Sequence, residues 1–367
     1  MADPRLAKLA NVLVHYSLRV RKGDLFRIAG AALAAPLIQE VYREALSVGA
    51  HPFVRVTLDG LEEMFLKAAS DEQLHYVSDL QRAETEQITA SLGIWGVWNT
   101  RDLTHVDPKR IALRREATRE IGRRFMERAA KDELRWCGTQ YPTQAEAQDA
   151  EMSLGEYEEF VFGAGMLDRE DPVAAWEEVR TKQAQITTFL ETCKTLAVHG
   201  PDIDLELSVD GRKWVNAAGD KNFPDGEVFT GPVEDSVNGR VRFSFPAIYN
   251  GREVVDVELL FEQGKVTHAR AAKGEEFLHA MLETDVGARY LGEFAFGTNY
   301  NITRFTRNIL FDEKIGGTLH MALGAGYPET GSTNISGLHW DLIADLRNGA
   351  EVTADGQVVY RDGKFTV

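Results

Sequence analysis

The sequence is short of cysteine, of positive charge and of long apolar runs, and each shortage closes off a class of function. Only Cys137 and Cys193 occur in 367 residues, and they form no Cys-x-x-Cys pair. Neither a zinc knuckle nor a dithiol redox centre is expected; two reduced thiols are the expectation and a single disulfide is the alternative. Lys and Arg number 41 against 57 Asp and Glu, a formal charge of −16. Such a surface repels a phosphate backbone, since nucleic-acid binding draws much of its affinity from cationic side chains that displace condensed counterions. No nucleic-acid partner is expected. No stretch is apolar for long enough to span a bilayer, and the start Met1-Ala-Asp-Pro-Arg lacks the basic and apolar regions of a secretion signal. The expected compartment is the cytoplasm, with no membrane partner.

What is present is an ordinary globular composition, 44% hydrophobic and 27% charged. The length suits two packed domains better than one core. The acidic excess gathers cations around any carboxylate-rich cleft, which is compatible with metal loading without arguing for it.

Along the chain the texture changes once. Apolar positions at helical spacing over residues 5–17 predict an opening amphipathic helix. A strand over 23–29, a helix over 36–48 and a strand over 52–57 make a β-α-β pattern, whose helix carries the chain between parallel strands. The alternation continues through a polar helix over 71–82, an apolar run over 88–98 and a charged helix over 108–130. Trp95 and Trp98 end that apolar run, at the sheet edge where open α/β folds place ligands, although core or interface packing is the commoner fate of such residues.

Two more helices are expected over 146–162 and 171–190, the second opened by Pro172. From about residue 195 strands dominate. Residues 202–209 alternate polar and apolar, and Asp210-Gly211 reads as a hairpin turn. Further strands are expected at 239–245, 254–261 and 264–271, then a helix over 275–290 and a final hairpin around Asp355-Gly356 and Asp362-Gly363. The expected fold class is therefore α/β: an open parallel-sheet N-terminal domain over 1–194 and a β-rich α+β domain over 195–367.

Of the nine histidines, His15, His51, His75, His105, His199, His268 and His279 read as surface or packed residues. His339 differs, because His339-Trp340-Asp341 in an extended chain sends His and Asp to one face and Trp340 to the other. Such a pair ligates one metal, or the acid orients the imidazole. Glu227 lies among apolar and turn-forming residues, Glu293 in the apolar run Leu291-Gly-Glu-Phe-Ala-Phe-Gly297, and a buried carboxylate needs a partner or a metal. His320-Met-Ala-Leu-Gly-Ala-Gly-Tyr327 carries small residues that let the backbone approach something closely.

These segments, with Leu310-Phe-Asp-Glu313, Lys273-Gly-Glu-Glu276, Thr284 to Arg289 and Asp171 to Trp176, resemble the thermophilic aminopeptidase family, the aminopeptidase T and aminopeptidase S type, from about Leu6 onward. The resemblance implies metal ligands at Glu227, Glu293, His320, His339 and Asp341, with the site tyrosine at Tyr327 as a weak ligand or an oxyanion donor. Glu293 and Tyr327 are the expected catalytic side chains, with Glu227 or Glu293 as proton carrier and either as the shared carboxylate. Oxygen and nitrogen donors favour two divalent ions drawn from zinc, cobalt, manganese or magnesium, and a hydroxide generated between them as nucleophile. The expected activity is removal of the N-terminal residue from short peptides with a free N-terminus, by a homodimer. The alternative is a ring-opening dioxygenase using one iron on His320, His339 and Asp341. The chain departs from the family between Phe311 and His320, where Lys314-Ile-Gly-Gly-Thr-Leu319 is rewritten, and in a short loop from Tyr327 to His339.

Overall fold

The structure, a computed structural model, describes residues 3–249 and 251–367. Two compact units emerge, one of Met1–Val173 with Gly219–Pro224 and the other of Ala174–Ala218 with Asp225–Val367. This division lies ahead of the boundary expected near residue 195. The helix Pro172–Leu190 carries the chain into the second unit, where Gln183 donates to the backbone oxygens of Ala217 (3.0 Å) and Glu227 (2.9 Å).

The first unit is an α/β layer. Strands β1 (Leu25–Ala31), β2 (His51–Thr57), β3 (Ala90–Trp95) and β4 (Arg135–Gln140) run parallel in the order β2-β1-β3-β4, and the short strand Asn222–Phe223 extends the sheet beyond β4. The crossover helix Ala35–Ser47 buries Leu37, Ile38, Val41 and Ala45, the stripe that helical periodicity places on one face. The polar helix expected over 71–82 is two helices, Asp71–His75 and Asp79–Gln87. Ser70 and Ser78 each close a capping box that starts a fresh helix. A third capping box, at Ser153, likewise divides 146–162 into Gln144–Asp149 and Leu154–Ala164. Trp95 and Trp98 are 47% and 69% exposed rather than packed in the core.

Beside β4, Glu146 is partly buried, and both its oxygens accept from Gln140 Nε2 at 2.7 Å. Burial pushes its carboxyl up to about 7 against those hydrogen bonds. The folded state thus holds this proton more tightly than the unfolded chain, so the stability contribution is complete below the unfolded value of 4.5 and is lost as pH rises through about 7. At about 1.4 kcal/mol per unit the loss is roughly 3 kcal/mol. Glu146→Gln, which keeps an acceptor without the charge, is expected to raise stability at pH 8.5 and to leave it nearly unchanged at pH 4.5. Urea titrations at the two pH values check this; an equal effect at both would rule out the carboxylate as the source.

The second unit packs two antiparallel sheets face to face. The larger runs Lys265–Arg270, Val257–Glu262, Asn238–Phe243, Ile203–Ser208, Thr195–Gly200, Glu351–Ala354, Gln357–Arg361 and Lys364–Phe365 in spatial order. The smaller contains β5 (Val215–Ala217), β6 (Glu227–Thr230), β7 (Leu291–Gly297), β8 (Thr318–Gly324) and β9 (His339–Asp345), ordered β9-β8-β7-β6-β5. Their inner faces share one core, in which the Phe296 and Tyr360 rings lie 5.1 Å apart.

Asp210-Gly211 is not a hairpin turn. Ile203–Ser208 pairs with Thr195–Gly200 and Asn238–Phe243, while β5 leaves to join β6, because that side of Ile203–Ser208 is already taken. The expected final hairpin is a three-stranded meander, turning at both Asp355-Gly356 and Asp362-Gly363. The helix over 275–290 ends at Leu282 and resumes as a 3₁₀ turn, Val286–Arg289, whose first turn is capped by Asp285.

Candidate metal centre

Residues paired across neighbouring strands share a face, so the register of the smaller sheet decides which side chains meet. Ala322 on β8 faces Glu293 on β7 and Asp341 on β9, while Ala295 on β7 faces His320 on β8. Glu227 faces Gly297, and His339 faces Gly324. Every ligand-type side chain on this face therefore has Ala or Gly as a cross-strand neighbour, which leaves room for five long polar groups to converge. The opposite face carries Phe294, Phe296, Leu319, Met321, Leu323, Trp340 and Leu342, all in the core. The expected split of His339 and Asp341 from Trp340 holds, with Trp340 1% exposed.

The small residues between His320 and Tyr327 also have an identified neighbour. Gly324 adopts φ +97°, and a Cβ there would lie 2.2 Å from the Leu338 carbonyl oxygen, so only glycine lets β8 and the start of β9 close up.

Glu293 sits between the two histidines. Its Oε1 is 3.6 Å from His320 Nε2 and its Oε2 is 3.5 Å from His339 Nε2. Glu227 Oε2 is 3.3 Å from His320 Nε2, and Asp341 Oδ1 is 3.6 Å from His339 Nε2. Potential ligand atoms within 4.8 Å of one another form three groups: Glu227, Glu293 and His320; Glu293, His339 and Asp341; and Glu313, His320 and Asp341. Among the described residues His320 and His339 share none of these groups.

The donor set fits hard or borderline divalent cations, since all its atoms are oxygen or nitrogen. Three buried atoms support the fit: Glu227 Oε2, His320 Nδ1 and Asp341 Oδ1 have no hydrogen-bond partner among the described residues. A buried polar atom left so is costly unless something else satisfies it. His339 Nδ1 lies 2.8 Å from the Ala325 carbonyl oxygen, an atom that only accepts, so Nδ1 carries the hydrogen and Nε2 offers its lone pair to the cluster.

The electrostatics are those of crowded carboxylates. Burial raises Glu227 well above the usual carboxylate range, opposed by Lys314 and reinforced by Glu313. Burial also raises Asp341 to about 6, against the pull of His339. For His320 burial acts the other way, but the Glu293 carboxylate 3.6 Å away and the charges of Glu227 and Glu313 prevail and hold it at about 10. Tyr327 lies outside the carboxylate groups and 40% exposed, its ring edge-on to His339 at 5.4 Å. Burial of its hydroxyl, with Glu293 and Asp341 nearby, raises its pKa, so the phenol stays protonated.

Sequence reasoning placed Glu313 in a family-like segment without giving it a role, and missed Asp225 and Lys314 as part of the cluster. The turn Ile309–Asp312 delivers Glu313 and Lys314. Asp312 accepts from Thr306 N (2.6 Å) and Oγ1 (2.9 Å), which pins that turn under the site. Lys314 is 0% exposed, and its Nζ contacts Glu313 Oε1 and lies 3.6 Å from Glu227 Oε1 and 4.0 Å from Asp225 Oδ1. The local sequence, with Asp312 and Glu313 directly before Lys314, carries no sign that this lysine is buried. Beside the cluster, the apolar Pro246, Ile248, Phe305, Ile309 and Ile343 and the charged Arg307 and Asp312 line a cavity of about 130 Å³ that reaches Asp341.

A β-sheet face bearing three overlapping carboxylate and imidazole groups is of the kind that can hold divalent cations. Comparison with known proteins narrows the class. The chain belongs to the thermophilic metalloprotease family (M29), whose profile matches residues 2–365. It is 30% identical over 409 aligned positions to aminopeptidase 2 of Geobacillus stearothermophilus, covering 99% of this chain and 98% of that protein. It is 28% identical over 349 positions to aminopeptidase T of Thermus thermophilus, covering 88% and 85%. The solved structure of wild-type AmpT from Thermus thermophilus matches with a TM-score of 0.87 at 26% identity, covering 99% of both chains. A 2,5-dihydroxypyridine dioxygenase from Pseudomonas putida matches with a TM-score of 0.62 at 16% identity over 99% of this chain and 97% of that one, a likeness of fold alone. Among the described residues no helix is long and apolar enough to cross a membrane.

Proposed function

We propose that this metallo-aminopeptidase removes the N-terminal residue of short peptides at a site for two divalent ions built on the smaller sheet of the second unit. The observation that carries this reading is the position of Glu293, whose two oxygens face different histidines. Glu227, Glu293 and His320 would hold one ion and Glu293, His339 and Asp341 the other, with Glu293 common to both sets. Two such ions would supply a hydroxide nucleophile near neutral pH and polarise the scissile carbonyl.

The chain's own residues do the rest. His339 is oriented by the Ala325 carbonyl. Tyr327, kept neutral, is a hydrogen-bond donor toward the oxygen on which charge develops and not a phenolate ligand. A free α-amine is attracted to the carboxylate-rich face, which selects the first residue of a chain. The neighbouring cavity offers a first side chain an apolar wall of Ile248, Ile309 and Ile343 together with the charged Arg307 and Asp312. A one-iron site on both histidines and Asp341 is disfavoured, because the two imidazoles fall in separate groups, each completed by glutamates that such a site does not need.

The reading extends to a cytoplasmic homodimer. The test compares leucyl peptides with free and acetylated N-termini in the presence of zinc, cobalt, manganese or magnesium. Release of leucine from the free peptide only is expected. Equal cleavage of both would overturn the exopeptidase reading, and oxygen uptake with a hydroxylated pyridine would replace it.

A further inference from the structure

Lys314 is the residue of this site for which the two-ion reading has no use. A fully buried ammonium is held in the folded chain only by matching charge, and here Asp225, Glu227 and Glu313 supply it. The ammonium is thus a fixed positive charge. Its position is one-sided: it lies 3.6 Å from Glu227 Oε1, and it contacts Glu313, the acid grouped with His320 and Asp341. Neither His339 nor Glu293 pairs with it among the described residues, so the Glu293, His339 and Asp341 group feels it only at longer range.

We infer that Lys314 makes the two cation sites unequal, holding the Glu227, Glu293 and His320 site as the weak, exchangeable one and leaving the Glu293, His339 and Asp341 site as the tight one. A divalent ion drawn to Glu227 Oε2 approaches an existing positive charge that already engages the other oxygen of the same carboxylate. Like charges a few ångströms apart in a buried setting repel far more strongly than in water. The consequence is functional: the enzyme is isolated with one resident ion and is completed by a second at ambient metal concentration. The chemical class of the exchangeable ligand is a hard or borderline divalent cation.

This inference rests on the two-ion reading, and the test separates the two. Full-length protein is stripped with a chelator and titrated with zinc chloride by calorimetry, with bound metal counted by elemental analysis after dialysis. Wild type is expected to bind one ion at least about a hundredfold more tightly than the second. Lys314→Met, which keeps the volume of the side chain without its charge, is expected to tighten the second site at least about tenfold and to leave the first within about threefold.

Two equal sites in wild type overturn the inference whatever the variant does, so a variant that fails to fold does not shelter it. Two sites in both proteins, with the weak one unchanged or weakened in Lys314→Met, overturn it while the two-ion reading stands. A single ion in both proteins at millimolar zinc overturns the two-ion reading and the inference with it.

Discussion

Glu293→Gln is expected to lower kcat/KM on N-terminally free peptides by at least about a hundredfold and to leave the fold intact. Glutamine keeps the shape and one oxygen acceptor but removes the charge that both cation groups share. Breaking a buried ionic contact typically costs about 3–5 kcal/mol, which at about 1.4 kcal/mol per tenfold is roughly two to four decades. His339→Ala removes one group's imidazole and is expected to fall in the same range. The stability readout separates chemistry from folding. With divalent ions chelated away, Glu293 lies beside the acids Glu227 and Asp341 but also beside the imidazoles of His320 and His339, so the Gln variant loses repulsion and ion pairing together and is expected to unfold in one cooperative transition, as wild type does. Turnover above a tenth of wild type would remove Glu293 from the shared position.

Removal of divalent ions from wild type is the second large effect. A strong chelator is expected to abolish turnover, and one of zinc, cobalt, manganese or magnesium is expected to restore it. Stability should move with it. An ion that binds only the folded state stabilises by about 4 kcal/mol at a thousandfold excess over its Kd. For a unit of this size that corresponds to roughly 10 °C in Tm. The expected result is a chelator-sensitive unfolding transition. Activity indifferent to the chelator counts decisively against the metal reading.

The legibility of this protein divides along physical lines. The α/β character of the first unit and the change to a β-rich second unit could be read from periodicity, since helical and strand patterns are local properties of the chain. Capping boxes at Ser70, Ser78 and Ser153 were also local, and their divisions of two helices were there to be found. The fate of Asp210-Gly211 was not local: whether a turn makes a hairpin depends on which strands already occupy the edges of Ile203–Ser208. The exposure of Trp95 and Trp98 likewise depends on what packs over the end of β3.

The six residues singled out as a site illustrate the same division. His339 and Asp341 were bound to share a face by strand geometry alone, with Trp340 opposite, and the carboxylates of Glu227 and Glu293 were readable as buried because their neighbours are apolar. The family resemblance supplied the grouping. What only the tertiary structure decided is the order in which the groups meet: the register that sets Ala322 between Glu293 and Asp341, the reach of Glu293 to both histidines, and the arrival of Glu313 and Lys314 on a turn outside the sheet. Local sequence determines which way a side chain leaves its own strand, because that follows from backbone alternation. Distances between charges on different strands and turns follow from pairing and packing across the whole unit, and those distances set the balance between carboxylates, the buried ammonium and the cations they are proposed to share.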